Sequence, residues 1–498
     1  MTAALPARPS RLPRPVRPAW LAPQVARTEV LAGLVVALAL IPEAISFSII
    51  AGVDPRVGLF ASFTMAVTIA FTGGRPAMIS AATGAVALVI APLVREHGVQ
   101  YLVAAVLLGG VVQVALGLLG LARVMRFVPR SVMVGFVNAL AILILTAQLP
   151  QLTDVPWAVY PLAAVGLGII VGLPRLTTAV PAPLVAIIAL TLVTVTAGIA
   201  VPTVGDQGEL PDSLPTLGLP DVPFSWETLR IVAPYALAIA LVGLMESLMT
   251  AKLVDELTDT PSSKTRESVG QGIANLVTGA FGGMGGCAMI GQTMINVRSG
   301  ARTRLSTFLA GAFLLVLVVV LSPVVGVIPM AALVAVMVFV SVATFDWHSL
   351  RTLRHMPRSE TAVMLVTVAV VLATSNLAIG VAVGVLVACV LFARRVAHLV
   401  TVTPTGGPDG TRTYAVSGAL FFASTNDLVG RFDYAGDPDR VVIDLSGAHV
   451  WDASSVAVLD AIGHKYATRG KSVEITGLTD VSGHYHRRLA GRLGGGAG

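Results

Sequence analysis

A chain of 498 residues that is 55% hydrophobic and only 12% charged, with a mean hydropathy of +0.84, is excluded from the soluble globular class and reads as a polytopic membrane protein. The net charge of +6 does not mark a nucleic-acid binder, because the basic residues sit in short loops between apolar runs. The two cysteines, Cys287 and Cys389, are too few and too far apart to propose a disulfide, so nothing points to an oxidising compartment.

Residues 1–27 are basic and proline-rich, without an apolar core or a small-residue cleavage site, and are expected to form a cytoplasmic tail, not a signal peptide. Fourteen apolar segments follow, near 29–50, 57–72, 77–94, 101–120, 127–149, 157–173, 183–200, 230–254, 267–281, 287–297, 304–322, 326–345, 360–375 and 377–397. They define a transporter-like domain over 28–397 in two halves, 28–200 and 228–397. Counted on alternate sides, Lys and Arg between residues 28 and 397 divide sixteen against three. This satisfies the positive-inside rule for a multi-pass protein of the cell (inner) membrane with both termini cytoplasmic. The loop 201–229 carries Asp206, Glu209, Asp212, Asp221 and Glu227 and no internal Lys or Arg, as an external loop should. After Arg395 the composition becomes that of a small soluble α/β domain, 398–490. Thr413–Phe422, Val441–Leu445 and Ser472–Thr476 read as strands and Ala453–Ala467 as a helix. Residues 491–498 are glycine-rich and expected to be disordered.

The apolar pattern breaks at Gly285–Arg304. About 20 apolar residues are needed to cross a bilayer, yet only Cys287–Val297 lies between a glycine cluster and three arginines, at most half a span. Irregular backbone at that depth is tolerated only where protein buries it or a wet cavity is lined by it. The first half has a counterpart in Ile79–Ala85, small and glycine-interrupted after Gly73-Gly74-Arg75-Pro76. At a spacing of 203 residues Thr83 falls on Gly286 and Glu43 on Glu246, and at 200 Pro129 falls on Pro329. Broken segments at corresponding places in two halves are the best sequence pointer to a transporter's substrate site. Ala82, Thr83 and Gly84, with Gly286, Gly291, Gln292 and Thr293, are therefore the candidate substrate-binding residues. A bulky residue at Gly286 or Gly84 is expected to fill the amide-lined space while leaving the protein folded.

Glu43 and Glu246 are the carboxylates placed near mid-membrane, with no Lys, Arg or His at that depth, and such residues are functional candidates by default. Asn138, Gln148, Asn275 and Asn376 are weaker signals, better explained by hydrogen bonds between helices. Two half-helix N-termini attract an anion through free amides and the helix dipole, whereas a nearby ionised carboxylate repels it. An anion and a proton then bind together more favourably than either alone, which is the requirement for symport. A Glu with unwound carbonyls holding Na⁺ is the alternative coupling.

The run Ile41-Pro42-Glu43-Ala44-Ile45-Ser46 through Asp54-Pro55 and Gly58-Leu59-Phe60 closely resembles the first-span signature of the SulP sulfate-permease anion transporters. So do Arg126–Phe136, Gly270–Asn275 and Asn296–Ala301. The resemblance implies an α-helical fold of 14 spans as a 7+7 inverted repeat. It further implies a core of spans 1–4 and 8–11, a gate of spans 5–7 and 12–14, and anion binding between spans 3 and 10. A homodimer is the expected assembly. Two departures stand out: Ala82 where many members have proline, and Gln292 where animal members commonly carry arginine. Without that fixed charge, proton-assisted uptake is favoured over uncoupled passage or sulfate exchange. Val442–Ser446 and Trp451–Ser455 look like a STAS domain, in which the position of Ser454 is phosphorylated in anti-sigma-factor antagonists; here capping of a helix by Asp452 or Ser454 is the favoured reading.

The expected function is secondary active transport of a small anion with a proton, carboxylates or dicarboxylates first and bicarbonate or sulfate next, with Na⁺ as the alternative co-substrate. A membrane-tethered STAS signalling protein and a nucleobase carrier are the competing classes. The paired broken helices argue against the first, and the first-span and Asn296–Ala301 motifs against the second. No nucleotide-binding loop, metal cluster or nucleophile paired with a base is found, so no enzyme, cofactor or metal is expected.

Overall fold

The computed structural model describes residues 23–120, 128–177, 181–211, 213–397, 399–406, 410–425 and 428–490. The basic segment before Pro23, Arg126 and Phe127 of the second motif, and the glycine-rich end from 491 lie outside the described residues. The chain divides into two compact units, one ending at Gly384 and one starting at Val385.

Each of the fourteen predicted apolar segments contains a helix. In the first half these are α1 (Pro23–Ala51), α2 (Pro55–Thr72), α3 (Gly84–His97), α4 (Val99–Leu118), α5 (Arg130–Thr146), α6 (Val159–Gly172) and α7 (Ala182–Thr196). The second half comprises α8 (Trp226–Thr258), α9 (Lys264–Ala280), α10 (Ile290–Arg298), α11 (Arg304–Val320), α12 (Met330–Thr344), α13 (Arg358–Thr374) and α14 (Leu377–Ala397). Helix α1 begins inside the predicted tail and runs through Arg27. Seven helices among the described residues are long and apolar enough to cross a membrane on their own.

Two sets of helices pack separately. Helices α1, α2, α4, α8, α9 and α11 form one group, with α4 against α8 and α9 and α11 against α1 and α2; α3 and α10 are held against α1 and α8. Helices α5, α6, α7, α12 and α13 form the other. Gly380 and Gly384 of α14 lie against Val371 and Thr367 of α13. Small residues allow the first group its close approaches. A side chain at Gly110 on α4 would start 2.8 Å from the Gly272 carbonyl of α9, and one at Gly272 would start 2.7 Å from the Gly110 carbonyl. Pro129 and Pro329, the pair found at a spacing of 200, each stand immediately before a helix, α5 and α12, where a missing N–H is harmless.

Two buried carboxylates at the margins of the spans, not singled out from the sequence, act as caps. Glu29 is 1% exposed and accepts the amides of Arg302 at 2.7 Å, Thr303 at 2.9 Å and Ser306 at 3.1 Å, so a side chain of α1 closes the start of α11. Glu267 likewise accepts the Gly74 and Arg75 amides after α2, at 2.7 and 3.0 Å. Glu29→Ala should strand three backbone donors, one of them fully buried, and lower the unfolding free energy by about 2 kcal/mol. A fall in thermal midpoint of the detergent-purified protein checks this, and Glu29→Gln, which keeps an acceptor, should lose less.

The second unit contains a four-stranded sheet in the order β3 (Thr401–Gly406), β4 (Arg412–Leu420), β5 (Arg440–Val450), β6 (Ser472–Thr476), while β1 (Ser80–Ala81) and β2 (Cys287–Ala288) are two short strands of the first unit. The β3/β4 pair is antiparallel and the other two pairs are parallel. The α-helix Ala453–Ala467 connects β5 to β6, as read from the sequence; β3 and the closing helix Asp480–Leu489 were not anticipated, being polar and short. Val441, Ile443, Leu445, Val456, Leu459 and Ile462 form the core. Asp437 accepts from Tyr414 at 2.8 Å, Tyr466 at 2.5 Å and Arg412 at 3.2 Å. Burial first, and then the neighbouring carboxylate, hold both phenols above the ordinary tyrosine range, so they remain donors at any physiological pH.

Candidate functional site

Fourteen residues of α3 rise roughly 21 Å and nine of α10 roughly 14 Å, both short of the roughly 30 Å hydrocarbon core. The shortfall is made up by extended chain, and that chain is what the sequence showed as broken apolar signal. Ser80–Ala81 (β1) pairs antiparallel with Cys287–Ala288 (β2), Ser80 opposite Ala288 and Ala81 opposite Cys287. Each strand satisfies the other's backbone in the buried interior. The half-helices begin just beyond, with Thr83 and Met289 as their N-caps. The structural counterpart of Thr83 is thus Met289, and the spacing of 203 that matched it with Gly286 runs three residues short.

The strand pair is held by side chains reaching in from the surrounding helices. Asn275 of α9 grips Gly286 from both sides, accepting its amide at 2.9 Å and donating to its carbonyl at 3.0 Å, and also donates to Gln113 of α4 at 2.8 Å. Ser247 of α8 accepts the Ala288 amide at 3.0 Å, and Ser62 of α2 accepts that of Ala82 at 3.2 Å. Gln271 donates to Ser80 at 2.6 Å and to Glu267 at 2.9 Å. Of the weaker sequence signals, Asn275 therefore positions the site. Asn138 ties α5 to Ser349 and the Asp346 amide, and Asn376 accepts the Ala378 and Ile379 amides at the start of α14.

The predicted substrate-binding residues divide accordingly. The first-turn amides of Gly84 and Ala85 on α3, and of Ile290, Gly291 and Gln292 on α10, have no intrahelical acceptor. They present the positive ends of two helices to the same region. A Cβ at Gly291 would meet nothing within 4 Å, so this glycine borders open space. Ala82 is buried behind the start of α3. Gly286 does not border the site: an ideal Cβ there lies 2.0 Å from the Ala81 carbonyl oxygen, inside the strand pair. A Cβ added at Gly84 would lie 2.8 Å from the Phe47 ring of α1 and 3.2 Å from Ile144 of α5. Thr293 is fully buried and bonded to Ile79, accepting its amide at 3.0 Å, so its hydroxyl serves the β1 approach and is not offered to a ligand.

Both intramembrane carboxylates reach this region. Glu43 follows Pro42 in α1 and stands beside the Gln292 side chain. Glu246 of α8 is 8% exposed and accepts the Cys287 thiol at 2.9 Å. The sulfur in turn lies 3.1 Å from the Thr83 hydroxyl, whose oxygen accepts the Val86 amide at 3.4 Å. The sequence marks Cys287 only as a cysteine without a disulfide partner; no sequence pattern distinguishes a buried thiol from one that bridges two polar groups.

A cavity of about 360 Å³ opens between the two helix groups. It is lined by Ser46, Ile50 and Leu88 on one side and by Leu143, Gln148 and Leu333 on the other, with Arg95 at its rim. Its α3 lining runs from Leu88 to Arg95, and neither the first turns of α3 and α10 nor Glu43 or Glu246 lines it. Among the described residues no group of three or more His, Cys, Asp or Glu could hold a metal ion.

Ser454 is exposed in the first turn of the helix that follows β5. The capping role belongs to Asp452, which accepts the Ser455 amide at 2.9 Å and its hydroxyl at 2.8 Å.

Two broken half-helices abutting through a short strand pair, between a core and a second helix group, define an inverted-repeat membrane transporter. The sulfate permease family model matches residues 27–160 and 154–367, and the STAS domain model matches 404–488. The chain belongs to the sulfate permease family and is an anion transporter with a C-terminal STAS domain. It is 56% identical over 464 residues, 93% of this chain and 97% of the relative, to YbaR of Bacillus subtilis (strain 168), which bears a sulfate-transporter name. It is 28% identical to the bicarbonate transporter BicA of Synechocystis sp. (strain ATCC 27184 / PCC 6803 / Kazusa), covering 87% and 84% of the two chains. The solved transmembrane domain of a cyanobacterium BicA matches with a TM-score of 0.63 at 27% identity, over 73% of this chain and 97% of that one. The overall structure of SLC26A9 shares the fold, with a TM-score of 0.80 at 15% identity over 94% and 88%.

Proposed function

We propose that the chain carries a small oxyanion across the membrane together with a proton, binding the anion between the first turns of α3 and α10. The observation that carries this reading is the juxtaposition of two helix starts, whose leading amides have no intrahelical acceptor, with two carboxylates, Glu43 and Glu246, neither of which has a hydrogen bond or ion pair with a Lys, Arg or His among the described residues. Two helix ends supply about half a charge each. A divalent anion in a low-dielectric site needs more compensation than that, and protonation of a carboxylate removes a competing negative charge. Sulfate heads the candidate substrates, since the chain is most of the length of a 56% identical relative with that name, and bicarbonate follows. Dicarboxylates, ranked first from the sequence, come third, because nothing at the two helix ends measures ligand length. The orientation with both termini in the cytoplasm, the homodimer and a phosphorylated Ser454 belong to the same reading. Sodium coupling is the alternative to the proton.

Gly291 supplies the test. Because its Cβ position is open, Gly291→Leu should fold and reach the membrane at wild-type yield while losing anion uptake by liposomes of the purified protein. Gly291→Ala should retain uptake with a raised KM. Full transport by Gly291→Leu would refute the site.

A further inference from the structure

Each carboxylate faces the other repeat. Glu43, in the first half, stands beside Gln292 in the first turn of α10; Glu246, in the second half, reaches α3 by hydrogen bonds through Cys287 and Thr83. The connection through Cys287 has a fixed sense. An ionised carboxylate only accepts, so the thiol donates to Glu246; the sulfur then accepts the Thr83 hydroxyl proton, and the Thr83 oxygen accepts the Val86 amide. All three side chains are buried, at 8%, 0% and 2% exposure for Glu246, Cys287 and Thr83.

We propose that Cys287 is a positioning residue that reports the protonation of Glu246 to the anion-binding end of α3. This rests on the transport reading above. When Glu246 takes up a proton, its O–H donates to the Cys287 sulfur, the thiol hydrogen turns to the Thr83 oxygen, and the Thr83 hydroxyl is released to donate to an anion at the first turn of α3. No proton travels along the chain: one binds at Glu246 and leaves from Glu246, and the thiol and hydroxyl hydrogens only reorient. The titratable groups on the elements packed against α8 are Tyr101 on α4, Arg95 to His97 on α3, Lys264 to Glu267 on α9 and Arg298 on α10. They stand near the ends of those helices. Cys287 on β2 and, across the site, Glu43 on α1 are the groups at Glu246's own depth.

The S–H stretch of Cys287 can be read by infrared spectroscopy of the full-length protein in a Cys389→Ser background, which leaves one thiol. The band should shift as pH is lowered, and shift again on adding saturating sulfate. Glu246→Gln should abolish the pH response, and Thr83→Val should move the band at every pH. A band unaffected by both substitutions overturns the proposal. In liposomes, the several-fold rise of the sulfate KM from acidic to alkaline buffer should flatten in Cys287→Ala and persist in Cys287→Ser, whose hydroxyl can make the same bonds. An unchanged pH profile in Cys287→Ala overturns the coupling role. If Cys287→Ala does not fold, the infrared measurements decide alone. A responsive band in a protein that moves no anion would refute the transport reading and leave the hydrogen-bond chain standing.

Discussion

Gly286→Val should leave little or no folded protein in the membrane. The new Cβ would lie 2.0 Å from the Ala81 carbonyl oxygen and 2.6 Å from its carbon, both backbone atoms of β1 that no side-chain rotation can move. Relieving the clash means separating β1 from β2 and breaking the two bonds by which Asn275 holds Gly286. Bonds stranded at this depth find no water, which puts the cost on the order of 4 kcal/mol or more. The sequence placed this glycine on the wall of the anion site, where a side chain would block transport in a folded protein. The structure puts it behind the wall. The measurement is the monodisperse fraction after extraction: near zero for Gly286→Val, near wild type for Gly291→Leu. A well-folded Gly286→Val would mean that the strand pair is not as described.

The second large effect concerns coupling. With the membrane potential clamped at zero, one proton moving inward with each anion lets a gradient of one pH unit, about 1.36 kcal/mol, drive accumulation of about tenfold. Glu43→Gln should reduce this to no accumulation while still permitting exchange of anion for anion, because the amide mimics the protonated carboxyl in size and neutrality beside Gln292. Glu246→Gln should weaken the response through the Cys287 connection. The sign follows from charge alone: lowering the external pH neutralises a carboxylate that competes with the anion, so uptake rises. Retained proton-driven accumulation in both variants would remove the carboxylates from the coupling mechanism.

Much of this architecture was legible because the membrane imposes so few solutions on the backbone. An apolar run too short to span, bounded by Gly285-Gly286 and Arg298, can only be a half-helix with its irregular part buried, and the structure has α10 and β2 there. The matching segment Ile79–Ala85 was recognisable for the same reason. The facing of individual residues was not legible. Gly286 and Gly291 are both glycines in a broken segment, yet one supports a backbone crossing and the other borders open space, and only the register of Ala81 opposite Cys287 separates them. Glu29 and Glu267 escaped notice because they sit near span boundaries, where a carboxylate is normally solvated; here each meets a cluster of backbone amides contributed from a distant part of the chain.

On the proposed mechanism one small oxyanion and one proton move together through the paired ends of α3 and α10. The most direct measurement is uptake of labelled sulfate, bicarbonate and a dicarboxylate by the purified full-length protein in liposomes, with and without an inward proton gradient at clamped potential. Concentrative uptake of at least one of these anions should depend on the gradient, be abolished by Gly291→Leu and lose its gradient dependence in Glu43→Gln. Uptake indifferent to the proton gradient, or undiminished in Gly291→Leu, would contradict proton-coupled transport through this site.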